Sequence, residues 1–123
     1  MKAQLLISVV DDDESVRESL PELLKELGFD VRTFSSAREF LASDAPLHSS
    51  CLILDVAMPE MSGPELFHEL RRRDVVTPTV FITARKDEAV RSRLISEGAV
   101  ECLFKPFSDT ALLEALNKAV GNK

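Results

Sequence analysis

The sequence holds no tryptophan and no tyrosine, and only two cysteines, four glycines and six prolines in 123 residues. Two cysteines, Cys51 and Cys102, cannot build a disulfide framework or a four-ligand zinc site, and each lies at or within an apolar run, as buried free thiols do. No apolar stretch approaches the roughly 18 residues of a membrane span. Met1 to Leu6 runs into an acidic cluster instead of a signal-peptide cleavage site, so a cytoplasmic protein without membrane contact is expected. Basic charge is also in deficit: 15 Lys and Arg face 21 Asp and Glu, a net charge of −6. That balance lacks the footprint that phosphate backbones require and excludes nucleic acid as a direct ligand. Internal repeats, low-complexity segments and linkers are missing as well. What is there is 45% hydrophobic and 29% charged residues, the composition of one compact domain over 1–123. A chain of this length buries roughly two-thirds of its unfolded surface and can hold a core without staples.

Leu5 to Val10 is a short apolar run that stops at Asp11-Asp12-Asp13, as a strand buried on both faces does when it reaches water. Val16, Leu20, Leu23, Leu24 and Leu27 then recur at helical spacing up to Gly28, with a kink expected at Pro21. Phe29 to Phe34 alternates as a second strand. Ala37, Phe40 and Leu41 suggest a short helix before a loop around Pro46-Leu47-His48-Ser49-Ser50. Cys51 to Leu54 is a third strand ending on Asp55. Ser62-Gly63-Pro64 starts a helix with proline at its first position, running to about Arg72. Thr79 to Ile82, a helix carrying Ala89, Val90 and Leu94, and Val100 to Phe104 follow. A last helix, capped within Ser108-Asp109-Thr110, carries Leu112, Leu113, Leu116, Ala119 and Val120. Five strands alternating with five helices predict an α/β fold with a parallel sheet covered on both faces.

In such sheets ligands bind beyond the carboxyl ends of the strands, at the switch point of the strand order. Those ends collect Asp11 and Asp12, Asp55, Thr83 and Lys105. Clustered carboxylates repel, so the group is costly unless a cation occupies it. An open acidic cleft of this kind suits Mg2+, which takes one or two carboxylates with waters and a phosphate oxygen, or Mn2+ in its place. Lys105 adds a fixed positive charge and Thr83 a donor for a phosphate oxygen. Taken singly, Asp12 or Asp13 reads equally well as the cap of the next helix.

Val9-Val10-Asp11-Asp12, Leu54-Asp55-Val56-Ala57-Met58-Pro59 with Ser62-Gly63, Ile82-Thr83-Ala84 and Phe104-Lys105-Pro106-Phe107 resemble, in order and spacing, the signature blocks of the response-regulator receiver domain. The resemblance covers essentially the whole chain and is nearest to receivers of the FixJ/LuxR type. It implies a flavodoxin-like, doubly wound (βα)5 fold with strand order 2-1-3-4-5. It implies that Asp55 accepts a phosphoryl group from a sensor histidine kinase. Mg2+ would be held by Asp12, Asp55 and the backbone carbonyl of Ala57, with Asp11 acting through a metal-bound water. Lys105 would assist the transfer, Thr83 would turn toward the new phosphoryl oxygen, and the Lys105-Pro106 bond would be cis. The activity implied is Mg-dependent self-phosphorylation and autodephosphorylation, not conventional enzymology. Receivers of this type usually precede a helix-turn-helix domain, and these 123 residues hold none. The domain is therefore expected to stand alone or to derive from a longer transcription regulator with a C-terminal DNA-binding output.

Two departures limit what the family pattern implies. Cys102 stands where strand five usually carries a switching aromatic, and Phe104 is read as a core residue on the opposite face. Ala57 and Arg85 occupy the positions that tune phosphate lifetime. A phosphorylation-independent pseudo-receiver, acting as a protein-binding module, is the alternative reading. A flavin or nucleotide binder on the same fold is disfavoured because no glycine-rich loop follows strand one. With the strand order above, Cys51 and Cys102 lie two strands apart, roughly 9–10 Å, too far to bridge. Arg71-Arg72-Arg73 is expected to meet the negative pole of its helix, and His48 and His68 belong to the surface. Mixed charges on the fourth helix and the last one suggest a homodimer face made with strand five. The first helix, with Ser15, Arg17 and Leu20, is the expected kinase docking surface.

Overall fold

The computed structural model describes residues 4–121; Met1 to Ala3, part of the segment read for a leader, and Asn122-Lys123 lie outside them. Five strands, β1 (Leu6–Val10), β2 (Asp30–Phe34), β3 (Cys51–Asp55), β4 (Thr79–Thr83) and β5 (Glu101–Phe104), alternate with helices α1 (Glu14–Glu26), α2 (Ala37–Leu41), α3 (Ala45–His48), α4 (Gly63–Arg72), α5 (Glu88–Ser96) and α6 (Asp109–Ala119). The sheet is parallel throughout, in the order β2-β1-β3-β4-β5, as the resemblance implies.

The side-chain alternation of the three central strands divides the core into two layers. Ile7, Val9, Cys51, Ile53, Val80 and Ile82 face α1 and α6, meeting Leu20, Leu24, Leu112 and Leu116. Val10, Leu52, Leu54 and Phe81 face the other helices, meeting Phe40, Leu66, Phe67 and Leu94. Phe67 sets its ring edge-on to Phe81 at 5.4 Å. Each fully buried Leu, Ile or Phe contributes about 1.5–3 kcal/mol, so the interior fixes the strand ends far more firmly than any surface pair does. Cys51 belongs to one layer and Cys102 to the other. The sheet itself separates the two thiols, a stronger obstacle to bridging than strand spacing.

Three local readings change. A sixth helix, α3, forms where Pro46 suggested only a loop. Fully buried Ala45 anchors it in the core, and Ser49 Oγ closes its end on Ala45 O at 2.7 Å. Pro64 takes the second helical position of α4, Gly63 the first; neither position needs an intrahelical acceptor for its N–H. Helix α1 runs through Pro21 to Glu26, as the helical spacing up to Gly28 expects. The three arginines do more than meet a helix pole. Arg71 lies over the Phe67 ring, 4.5 Å from its centroid, while Arg72 and Arg73 both grip Glu69.

The start of α4 is pressed onto β3. Ser62 and Glu65 form a reciprocal capping box, and the Gly63 N–H donates to Val56 O at 3.0 Å. A methyl group at Gly63 would overlap the Asp55 carbonyl oxygen. Alanine favours helices over glycine by up to about 1 kcal/mol, yet here overlap with backbone wins. Gly63→Ala is expected to lower the unfolding free energy by about 2 kcal/mol, read as a shift in the urea midpoint at unchanged slope. A midpoint equal to wild type would show that the β3–α4 turn yields freely.

Candidate functional site

Because all five strands run the same way, Asp11, Asp55, Thr83 and Lys105 emerge at one edge, with Asp11 and Asp55 flanking the reversal of strand order between β1 and β3. Asp11 is fully buried and Asp55 is 6% exposed, whereas Asp12 stands in solvent. One carboxylate oxygen from each of the three lies within 4.8 Å of the others. At that separation each pair of full charges repels by roughly 3 kcal/mol at an effective dielectric of ~20. Lys105 Nζ offsets part of this, donating to Asp11 Oδ2 at 2.9 Å and lying 3.7 Å from Asp55 Oδ1. The Lys105-Pro106 peptide bond is cis.

The fourth acid is set apart. Asp13 caps α1, its Oδ1 accepting from the Ser15 N–H and hydroxyl, while its own N–H donates to Asp11 Oδ1 at 2.9 Å. The two readings of the acidic run are therefore both realised, by different residues. Burial and then the neighbouring Asp11 charge push the Asp55 carboxyl up to about 7, against the opposing pull of Lys105. Burial works against the Lys105 charge, but its hydrogen bond to Asp11 and the Asp55 charge outweigh it and hold the ammonium above its ordinary range. Three clustered acids, two of them paired to one ammonium and all offering oxygen, form a donor set that fits a hard divalent cation.

Thr83 is 5% exposed and its Oγ1 accepts from the Arg85 N–H at 3.2 Å. With Val56, Ala57, Arg85, Asp87 and Val90 it lines a cavity of about 200 Å3. Cys102 is buried in the layer that holds Phe81, and burial pushes its thiol up to about 11. Phe104 is corrected: residues two apart on a strand share a face, so it lies on the side of Cys102. It is half-buried there and pairs in register with Thr83. Arg17, on the face of α1 expected to dock a kinase, donates from its Nη1 to the Asp11 carbonyl oxygen at 2.9 Å. His48 and His68 are exposed, beside Asp44 and Glu97 respectively. No described helix is long and apolar enough to cross a membrane.

The family model for the response regulator receiver domain matches residues 7–117. The chain belongs to the response-regulator receiver family. Nodulation protein W of Bradyrhizobium diazoefficiens is 43% identical over 111 residues, 90% of this chain and 49% of that protein. The transcriptional regulatory protein FixJ of Rhizobium meliloti is 37% identical over 92% of this chain and 55% of its own length. The receiver thus spans about half the length of these curated relatives. Among solved structures, the response regulator StyR superposes with a TM-score of 0.88 at 44% identity, covering 97% of this chain and 60% of that one. FixJ-N superposes at 0.86 with 35% identity over 99% and 98%. Receiver domains act in two-component signalling with sensor histidine kinases and bind Mg2+ at an acidic pocket, the feature that Asp11, Asp12 and Asp55 form here.

Since Asp55 holds its proton more tightly in the folded chain than at its ordinary value of 3.8, metal-free stability is expected to fall as pH rises from about 4 to about 7. Asp55→Asn removes that titration. In EDTA it is expected to match wild type near pH 4 and to exceed it at pH 8 by on the order of 2 kcal/mol. Thermal denaturation at both pH values checks this; a variant that loses stability at pH 8 would contradict the assigned electrostatics.

Proposed function

We propose that residues 1–123 form a single phosphoacceptor unit in which Asp55 receives a phosphoryl group from a phosphohistidine of a sensor kinase or from a small phosphodonor. The observation that carries this reading is the buried Asp55 carboxylate at the strand edge, faced by two further carboxylates and by Lys105. In the transfer an Asp55 oxygen forms the new P–O bond as the donor's P–N bond breaks, and the imidazole leaves with the electron pair. The Asp55 charge needed for attack is favoured by Lys105 and disfavoured by Asp11. Bound Mg2+ or Mn2+ supplies charge neutralisation for the acids and the incoming phosphoryl oxygens. Asp12, Asp55 and the Ala57 carbonyl are the proposed ligands, with Asp11 acting through water.

Lys105 keeps its short contact for Asp11 and stands farther from Asp55. That leaves the ammonium free to meet an oxygen of the new phosphoryl group. Thr83, one strand away, supplies the hydroxyl that follows it. Ala57 and Arg85 border the same cavity and set how readily water reaches the acyl phosphate. The wider output we propose is transcription control, which the names of FixJ and its relatives suggest, exerted through a DNA-binding domain of a longer regulator. The face of α5, β5 and α6, where Arg91 and Lys118 both reach Glu101, is the proposed surface for a second receiver.

Intact mass after incubation with acetyl phosphate tests the acceptor. One phosphoryl adduct is expected for wild type with Mg2+, and none for wild type in EDTA or for Asp55→Asn. An adduct that persists in Asp55→Asn would move the site elsewhere. No adduct in wild type would favour the pseudo-receiver.

A further inference from the structure

Asp11, at the start of the β1–α1 turn, is tied down from several directions. The Asp11 N–H donates to Phe34 O at 3.0 Å, Asp11 Oδ1 accepts from the Asp13 N–H, and Asp11 Oδ2 accepts from Lys105. Asp13 is committed to capping α1. Asp12, the exposed carboxylate of the cluster, depends on the backbone for its aim. The peptide group that leads into it is held at the Asp11 carbonyl oxygen by Arg17 Nη1, and the Arg17 backbone N–H donates to Asp13 O at 3.2 Å. One residue, a turn inside α1, thus brackets Asp12 from both sides. We infer that Arg17 is a positioning residue, which orients the Asp11-Asp12 peptide and so aims the Asp12 carboxylate at the cation site.

The inference rests on the divalent-cation site proposed above, and its electrostatic sign makes it testable. A guanidinium beside a cation site repels the cation, so loss of its charge alone would tighten binding. Loss of its grip on the backbone would loosen binding, as removal of groups that orient metal ligands does. The Asp13 and Glu39 carboxylates both feel the Arg17 charge, which further reduces the repulsion that reaches the site.

The experiment is titration of the full chain with Mn2+ at fixed ionic strength, the free ion being read by electron paramagnetic resonance, on wild type, Arg17→Met, Asp12→Asn and the double variant. Arg17→Met is expected to raise the Mn2+ dissociation constant roughly tenfold. In the Asp12→Asn background the same change is expected to have an effect of less than about twofold, because it acts through Asp12. Unchanged or tighter binding in Arg17→Met overturns the inference, as does an equal loss in both backgrounds, which would mark a general loosening of the turn. If Arg17→Met does not fold, Arg17→Gln, too short and neutral, is judged by the same criteria. A wild-type chain that binds no Mn2+ overturns the cation site itself, and a bound ion indifferent to Arg17 overturns only the positioning role.

Discussion

Repulsion among acids that cannot move apart is the constraint around which this domain is built. A parallel sheet delivers all its carboxyl ends to one edge, and three of the groups delivered here are carboxylates. The Lys105–Asp11 contact keeps that edge tolerable without a cation. Its carboxylate is fully buried and its ammonium largely so, and leaving such a charge unpaired costs about 3–5 kcal/mol. The pairing is incomplete by geometry: one ammonium serves two buried acids at unequal distances, and burial with the neighbouring Asp11 charge raises the Asp55 carboxyl above its ordinary range. The site is thus poised to take up positive charge, whether as a proton, a metal ion or both in succession.

Such a poised arrangement survives only on a rigid support. The two apolar layers hold β1, β3 and β4 from both faces, and the strand ends inherit that rigidity. Gly63 extends it past the sheet, since α4 begins so close to the Asp55 carbonyl that no side chain fits between them. Position and charge are therefore supplied by separate parts of the sequence: apolar runs set where the acids stand, and the loops that follow decide what surrounds them.

The strands, their order and the acidic edge were legible because continuous apolar runs ending on acids are strong local signals, and because four short blocks resemble one family over the whole chain. What escaped were features that depend on packing. The four residues of α3 are too few to show a period, and its proline reads as a turn until buried Ala45 reveals a core anchor. Phe104 was misplaced through a slip in strand parity, which the register with Thr83 corrects. Arg17 sits on the polar side of an amphipathic helix, where sequence pattern offers no distinction between a solvated arginine and one folded back on a carbonyl. Arg71 likewise reads as a helix-pole charge, although it stacks on Phe67.

The separation of the two thiols by the sheet has a consequence for how the domain breathes. Cys51 lies in the layer closed by α1 and α6, and Cys102 in the layer closed by α5 and its neighbours. Burial pushes both thiols up, Cys51 to about 12 and Cys102 to about 11, so in the closed state neither is a ready nucleophile. Each sulfur becomes reactive only when its own side of the sheet opens. The protein therefore carries one native chemical clock on each face, and the two rates of thiol modification report separately on the partial unfolding of the two halves of its core.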